Sequence, residues 1–91
     1  MTIFIPTPLR GYTEGKDAVE VEATTVREAL DQLTASFAEL RKHLFTVDGK
    51  LRAFVNLYLN DEDVRYLPAK DATEVKPSDT LSIIPSIAGG R

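Results

Sequence analysis

The sequence TVREALDQLTASFAELRKHL, residues 25–44, has the pattern of an amphipathic helix. Its N-terminus is a capping box, in which we expect the Thr25 side chain to accept from the Glu28 backbone while Glu28 reaches back to the Thr25 backbone. Apolar side chains recur at steps of three, four and seven, on one helical stripe: Val26, Ala29, Leu30, Leu33, Phe37, Leu40 and Leu44. The pattern weakens near Phe37 and Ala38, where a break is expected. We predict that the stripe, from Val26 to Phe37, is buried against a sheet.

Short strand patterns lie on both sides of this helix. Residues 2–5 are β-branched or aromatic and end at Pro6, while residues 18–23 alternate apolar and acidic side chains. A loop with two glycines joins these two runs into a hairpin. Three further strands are predicted at residues 53–60, 64–67 and 80–85, with turns at residues 61–63 and 77–79. A hairpin and a last strand around one helix favour an α+β, β-grasp (ubiquitin-like) fold: a mixed sheet of four to five strands packed on one main helix.

Composition narrows the classes of function. The 91 residues carry a net charge of −3, so no overall positive field attracts nucleic acid or anionic lipid. With no cysteine, the chain has no thiolate nucleophile and no cysteine-ligated metal. His43 is the single histidine and is predicted to be a surface residue at a helix end, which argues against a histidine-based triad or metal site. The acidic residues 61–63 lack the spacing of a calcium loop, so a solvated turn and no metal are expected.

The chain also has no membrane signal in its sequence pattern. No charged leader precedes a long apolar run, and no apolar stretch approaches the length that spans a bilayer. We therefore expect a cytoplasmic location and no membrane partner.

Residues 86–91 (SIAGGR) follow the last predicted strand and are expected to form a flexible tail after a domain of residues 1–85. Gly89 and Gly90 lack side chains and accept almost any backbone angle, so they fit a narrow channel that excludes branched residues. A glycine carboxylate at its end could reach a nucleotide buried in a partner enzyme. The dipeptide alone is also compatible with a frayed chain end.

The context of these glycines is more specific than the dipeptide. Residues 81–85 run directly into residues 86–90 behind the turn at residues 77–79, and this arrangement resembles the ThiS/MoaD family of ubiquitin-like sulfur carriers. More narrowly, the segments IPTPLR (residues 5–10) and FVNLYLNDEDVR (residues 54–65) are similar to the CysO type of carrier, which serves cysteine biosynthesis. The resemblance covers nearly the whole chain. It implies a carrier on which enzymes act, with no catalytic residue and no bound cofactor of its own.

The resemblance also implies a chemistry for Gly90. An adenylating enzyme of the ubiquitin-activating type would use ATP and magnesium to convert the Gly90 carboxylate into an acyl-adenylate. A sulfur donor would then displace AMP and leave a thiocarboxylate. In the CysO-type pathway the acceptor is an activated serine derivative held by a pyridoxal-phosphate-dependent cysteine synthase, and a metalloprotease later releases cysteine from the tail.

One residue departs from the family pattern. The second glycine is terminal in mature members, whereas here Gly90 is followed by Arg91. One interpretation is a proform in which a protease cuts between Gly90 and Arg91; the other is an inert extension.

Two other functions use the same tail. A protein modifier would join Gly90 to a lysine of another protein, and the small subunit of a molybdopterin-synthase-like complex would insert its tail into a larger subunit. The sequence does not separate these from the sulfur carrier, because activation of Gly90 is common to them.

The strand predicted at residues 53–60 has apolar side chains on both of its faces. Phe54 and Tyr58 share one face of their strand, while Val55, Leu57 and Leu59 share the other. Because one helix covers only one face of a sheet, Phe54 and Tyr58 are predicted to belong to a partner-docking patch. Arg10 and Arg65 are expected to be ordinary solvated arginines.

Overall fold

The computed structural model describes residues 1–53 and 55–85. Its strands are β1 (Thr2–Phe4), β2 (Ala18–Glu20), β3 (Val55–Leu59), β4 (Glu62–Asp63) and β5 (Thr80–Pro85), and its helices are α1 (Val26–Ser36) and α2 (Ala38–Leu44). Three 3₁₀ segments lie at Thr7–Tyr12, Val64–Tyr66 and Lys70–Ala72. The strands form one five-stranded sheet in the order β2-β1-β5-β3-β4. The predicted mixed sheet is confirmed, and so is the β-grasp arrangement.

The sheet is built around β5, which lies between β1 and β3. β1 and β2 form the predicted antiparallel hairpin, and β1 runs parallel to β5 with Thr2 opposite Thr80 and Phe4 opposite Ser82. β3 is antiparallel to β5 from Leu59 opposite Leu81 to Val55 opposite Pro85. The parallel pair requires a long crossover between its strands, and the helices are part of that crossover.

The N-terminus of α1 is capped largely as predicted. The Glu28 backbone N–H donates to Thr25 Oγ1 at 3.1 Å. The return bond differs, because the Glu28 carboxylate accepts from the Thr24 backbone N–H at 2.7 Å instead of from Thr25. Either form satisfies backbone donors that a helix start leaves without partners.

The expected break is present at Phe37, whose backbone leaves the helical region with φ −127° and ψ 81°. The single predicted helix is therefore two helices. Phe37 is only partly buried, since it occupies the corner between them, and it still packs against the core. The rest of the predicted stripe is buried together with the inward side chains of the sheet: Val26, Ala29, Leu30, Leu33, Leu40, Leu44, Ile3, Val55, Leu57, Leu81 and Ile83.

The segment after β3 departs from the prediction. Residues 61–63 were expected to form a turn and residues 64–67 an edge strand, but the two-residue strand is Glu62–Asp63 and Val64–Tyr66 is a 3₁₀ turn. The Asp63 carboxylate accepts from the Arg65 backbone N–H at 2.9 Å and from the Arg65 side chain at 2.8 Å. Such local side-chain bonds compete with a strand ladder, which explains why the strand ends at Asp63.

Candidate functional site

The C-terminal end of β5 fixes the point from which the predicted tail leaves the sheet. Leu81 and Ser82 are paired on both sides, and the ladder to β3 continues as far as the Val55–Pro85 pair. The segment with Gly89, Gly90 and Arg91 follows, and it lies outside the described residues. The predicted roles of these three residues therefore stay predictions.

The sheet face opposite the helices bears large side chains that are open to solvent. Tyr58 lies opposite Ser82, and Ser82 lies opposite Phe4, so these residues form one row on one face. Phe4 is 45% exposed and Ile84 46% exposed, whereas Tyr58 is half-buried. We call Phe4, Tyr58 and Ile84 the outer face. Phe54, predicted to share it, lies outside the described residues.

Sequence reasoning included Tyr58 in this surface but missed Phe4 and Ile84. The alternation of side chains along a strand could have indicated both residues. Neighbouring side chains point to opposite faces of the sheet, so Phe4 points away from the buried Ile3, and Ile84 points away from the buried Ile83. The alternation was obscured because both members of each pair are apolar.

Arg65 borders the outer face beside Tyr58. Its terminal nitrogen lies 2.8 Å from Asp63 Oδ2, and Asp63 itself pairs with Tyr58 in the sheet. The hydrogen bond from the Arg65 side chain lowers the pKa of Asp63, and the same bond raises the pKa of Arg65. Arg10 donates from Nε to the Ile5 carbonyl at 3.1 Å. Both arginines therefore form hydrogen bonds within their own segments of the chain.

A cleft of ≈ 360 Å³ lies beside the end of β5. We call it the basic cleft, and it is lined by Leu9, Lys42, His43, Arg52, Val55 and Pro85. Arg52 donates from Nε to the Lys42 carbonyl at 2.8 Å, which ties the end of α2 to the residues before β3.

His43 was predicted as a surface residue, and this is wrong in one respect. The side chain is half-buried, since its ring stacks on Tyr12 with 4.1 Å between centroids. His43 Nε2 is buried and has no hydrogen-bond partner among the described residues.

The described residues contain neither a cluster suited to a metal ion nor a helix suited to a membrane. Within residues 1–53 and 55–85, no three acidic or histidine side chains come together as a metal site would require. No helix in that part of the chain has the length and apolar character needed to cross a bilayer.

The sequence matches a known family over almost its whole length. The model of the ThiS family matches residues 3–90. The chain belongs to the ThiS family. The match includes both glycines of the tail and ends at Gly90, so Arg91 lies beyond it.

Individual ThiS-family relatives are similar in both sequence and structure. The sulfur carrier protein CysO of Mycobacterium tuberculosis is 37% identical over 92 residues, which covers 99% of this chain and 98% of the relative. The fold is similar to that in the crystal structure of the Amycolatopsis orientalis BexX/CysO complex, with a TM-score of 0.86, 43% identity and 98% of each chain covered. SAMP1 from Haloferax volcanii has a TM-score of 0.84 at 27% identity, over 99% of this chain and 98% of that one.

Proposed function

We propose that this ThiS-family protein is a sulfur carrier that serves cysteine biosynthesis. The single observation that carries the proposal is its similarity to CysO, named a sulfur carrier, over nearly the full length of both chains. The fold supports the same role. The central strand of the sheet, β5, ends at Pro85, and the segment that contains Gly89 and Gly90 follows it in the sequence.

The proposed chemistry takes place at Gly90 after Arg91 has been removed. A Gly90 carboxylate oxygen attacks the α-phosphorus of ATP on an adenylating enzyme of the ubiquitin-activating type, with magnesium, and pyrophosphate leaves. Hydrosulfide, supplied by a sulfur donor, then attacks the carbonyl carbon, and AMP leaves with the shared oxygen. The product is a thiocarboxylate, whose sulfur is a better nucleophile than the oxygen that it replaces.

Other proteins complete the pathway in this proposal. A pyridoxal-phosphate-dependent cysteine synthase holds the activated serine derivative that accepts the sulfur, whose activating group leaves as the carbon–sulfur bond forms. A metalloprotease then releases the cysteine from the tail by hydrolysis. The carrier is a substrate in each step. It supplies a docking surface and a carboxylate, and it needs no bound cofactor.

The test of this function is the intact mass of the protein purified from its native host. We expect a form that has lost Arg91 and exchanged one oxygen for sulfur. Alkylation of the thiocarboxylate should shift this form and leave the unmodified carboxylate form in place. Material without any sulfur-bearing form, from cells grown under sulfur limitation, would contradict the proposal.

A protein modifier is the second candidate, because the fold is also similar to that of SAMP1, a small archaeal modifier protein. In that case Gly90 would form an isopeptide bond with a lysine of another protein. The same purification separates the two candidates. Conjugates of higher mass that retain this chain favour the modifier.

The outer face is proposed as the surface that an activating enzyme recognises. Exposed Ile84 lies on β5, the strand that leads to the tail, and exposed Phe4 lies on the neighbouring strand β1. We expect Phe4→Ser and Ile84→Ser each to weaken binding to the adenylating enzyme about tenfold, since buried aromatic and aliphatic anchors dominate interfaces. Titration calorimetry measures this effect.

Val47→Ser is the matched control for the outer face. Val47 is fully exposed in the turn between α2 and β3 and is not an outer-face residue, and the change removes a similar apolar side chain. It should leave the dissociation constant within about twofold. Equal losses from all three variants would remove the outer face from the interface.

A further inference from the structure

Basic side chains gather where the domain meets the tail, although the chain as a whole is acidic. Arg41, Lys42 and His43 form the last turn of α2, and Arg52 lies just before β3. Lys42 and Arg52 line the basic cleft together with His43. Because the net charge of the chain is −3, this concentration of positive charge is local and leaves the remaining surface more acidic.

Among the residues that the structure describes, acidic partners neutralise little of this charge. Lys42 pairs with Glu39 at 2.9 Å, but both side chains are well exposed, and such pairs exchange partners easily. Neither Arg41 nor Arg52 forms an ion pair within the part of the chain that the structure describes. The Arg52 bond to the Lys42 carbonyl instead holds its guanidinium at the cleft.

The cleft has the chemistry of a carboxylate site. Leu9, Val55 and Pro85 provide apolar walls that suit the methylene groups of a side chain, while Lys42 and Arg52 provide positive charge. His43 also lines the cleft, and its buried Nε2 has no hydrogen-bond partner among the described residues, which is unusual for a buried polar atom. Charge-assisted hydrogen bonds from such groups are about twice as strong as neutral ones.

We propose that the basic cleft receives an Asp or Glu side chain of the adenylating enzyme that holds the tail. This proposal rests on the proposed function, which identifies that enzyme as the partner. Pro85 is a wall of the cleft and also the residue after which the tail begins. An enzyme that encloses the tail must therefore place its own surface next to the cleft, and an acidic residue there is complementary in charge.

The test measures binding of the chain truncated after Gly90 to the adenylating enzyme of the same organism. Lys42→Glu should raise the dissociation constant at least about tenfold and flatten its dependence on salt. His43→Phe should raise it about threefold, because the ring can still stack on Tyr12 while the nitrogen is lost. Lys76→Glu is the control, since it makes the same charge change at an exposed site before the other end of β5, and it should stay within about twofold.

Three outcomes overturn the proposal. The first is a dissociation constant for Lys42→Glu within twofold of the wild-type value. The second is equal weakening by Lys42→Glu and Lys76→Glu, which would show a general charge effect. The third is a change in the amide resonances of Gly89 and Gly90 in the isolated full chain on Lys42→Glu, which would identify the chain's own tail as the occupant.

Failure of the proposed function gives a different result. If wild-type chain ending at Gly90 binds the enzyme but supports no ATP–pyrophosphate exchange, adenylation at Gly90 is wrong, and the binding comparison still decides the role of the cleft. If exchange at saturating carrier is unchanged in Lys42→Glu while its half-saturating concentration rises, the cleft acts in docking as proposed.

Discussion

A chain that ends at Gly90 should support ATP–pyrophosphate exchange with its adenylating enzyme, and the chain that ends at Arg91 should support none above background. Adenylation needs a free carboxylate on Gly90, which Arg91 blocks with a peptide bond. The arginine side chain is also long, charged and costly to desolvate, so it does not fit a channel sized for glycine. Pre-treatment of the full chain with a carboxypeptidase specific for basic residues should restore exchange.

Two further chains distinguish the reasons for this inertness. A full-length Arg91→Ala chain should remain inactive, because the peptide bond at Gly90 persists. A chain that ends at Gly89 should be inactive as well, since its carboxylate falls one residue short of the nucleotide. Equal exchange by the chains ending at Gly90 and Arg91 would exclude the proform and locate activation elsewhere.

Leu30→Ala should lower the free energy of unfolding by about 2–5 kcal/mol, because the Leu30 side chain is only 1% exposed and its removal leaves a cavity in the core. The whole domain is small, so this is a large fraction of its stability. Urea denaturation followed by circular dichroism measures the change.

Val47→Ala is the control for this stability measurement. Val47 is fully exposed, so its truncation should change the free energy of unfolding by no more than about 0.5 kcal/mol. A loss below about 1 kcal/mol for Leu30→Ala would mean that α1 presents a different stripe to the sheet.

The parts of the fold that were predictable from sequence are those with local causes. Thr25 and Glu28 mark the start of α1 by their spacing, and the weakened apolar pattern at Phe37 marks its end. The strand Thr80–Pro85 was predicted with its observed bounds, because proline and turn residues delimit it. The edge strand predicted at residues 64–67 is wrong. Asp63 and Arg65 form hydrogen bonds to each other, and Val64–Tyr66 forms a 3₁₀ turn instead.

The candidate site was less predictable, because its surfaces depend on contacts between distant residues. The exposure of Phe4 depends on which face of the sheet the helices cover. Because its neighbour Ile3 is also apolar, the sequence does not show which of the two side chains faces the helices. The half-burial of His43 depends on Tyr12, far earlier in the chain. The tail was recognised by its resemblance to a family, and the basic cleft required the packed structure.

The parallel pairing of β1 with β5 has a mechanical consequence under the proposed function, in which enzymes act on the tail. A pull on the tail acts along β5, and the ladders from Thr2 to Phe4 and from Val55 to Leu59 lie alongside that strand. Several backbone hydrogen bonds, which run across the strand, then share the load in shear instead of opening one after another. Under the proposed function, the adenylating enzyme is therefore expected to pull on the tail without unfolding the domain.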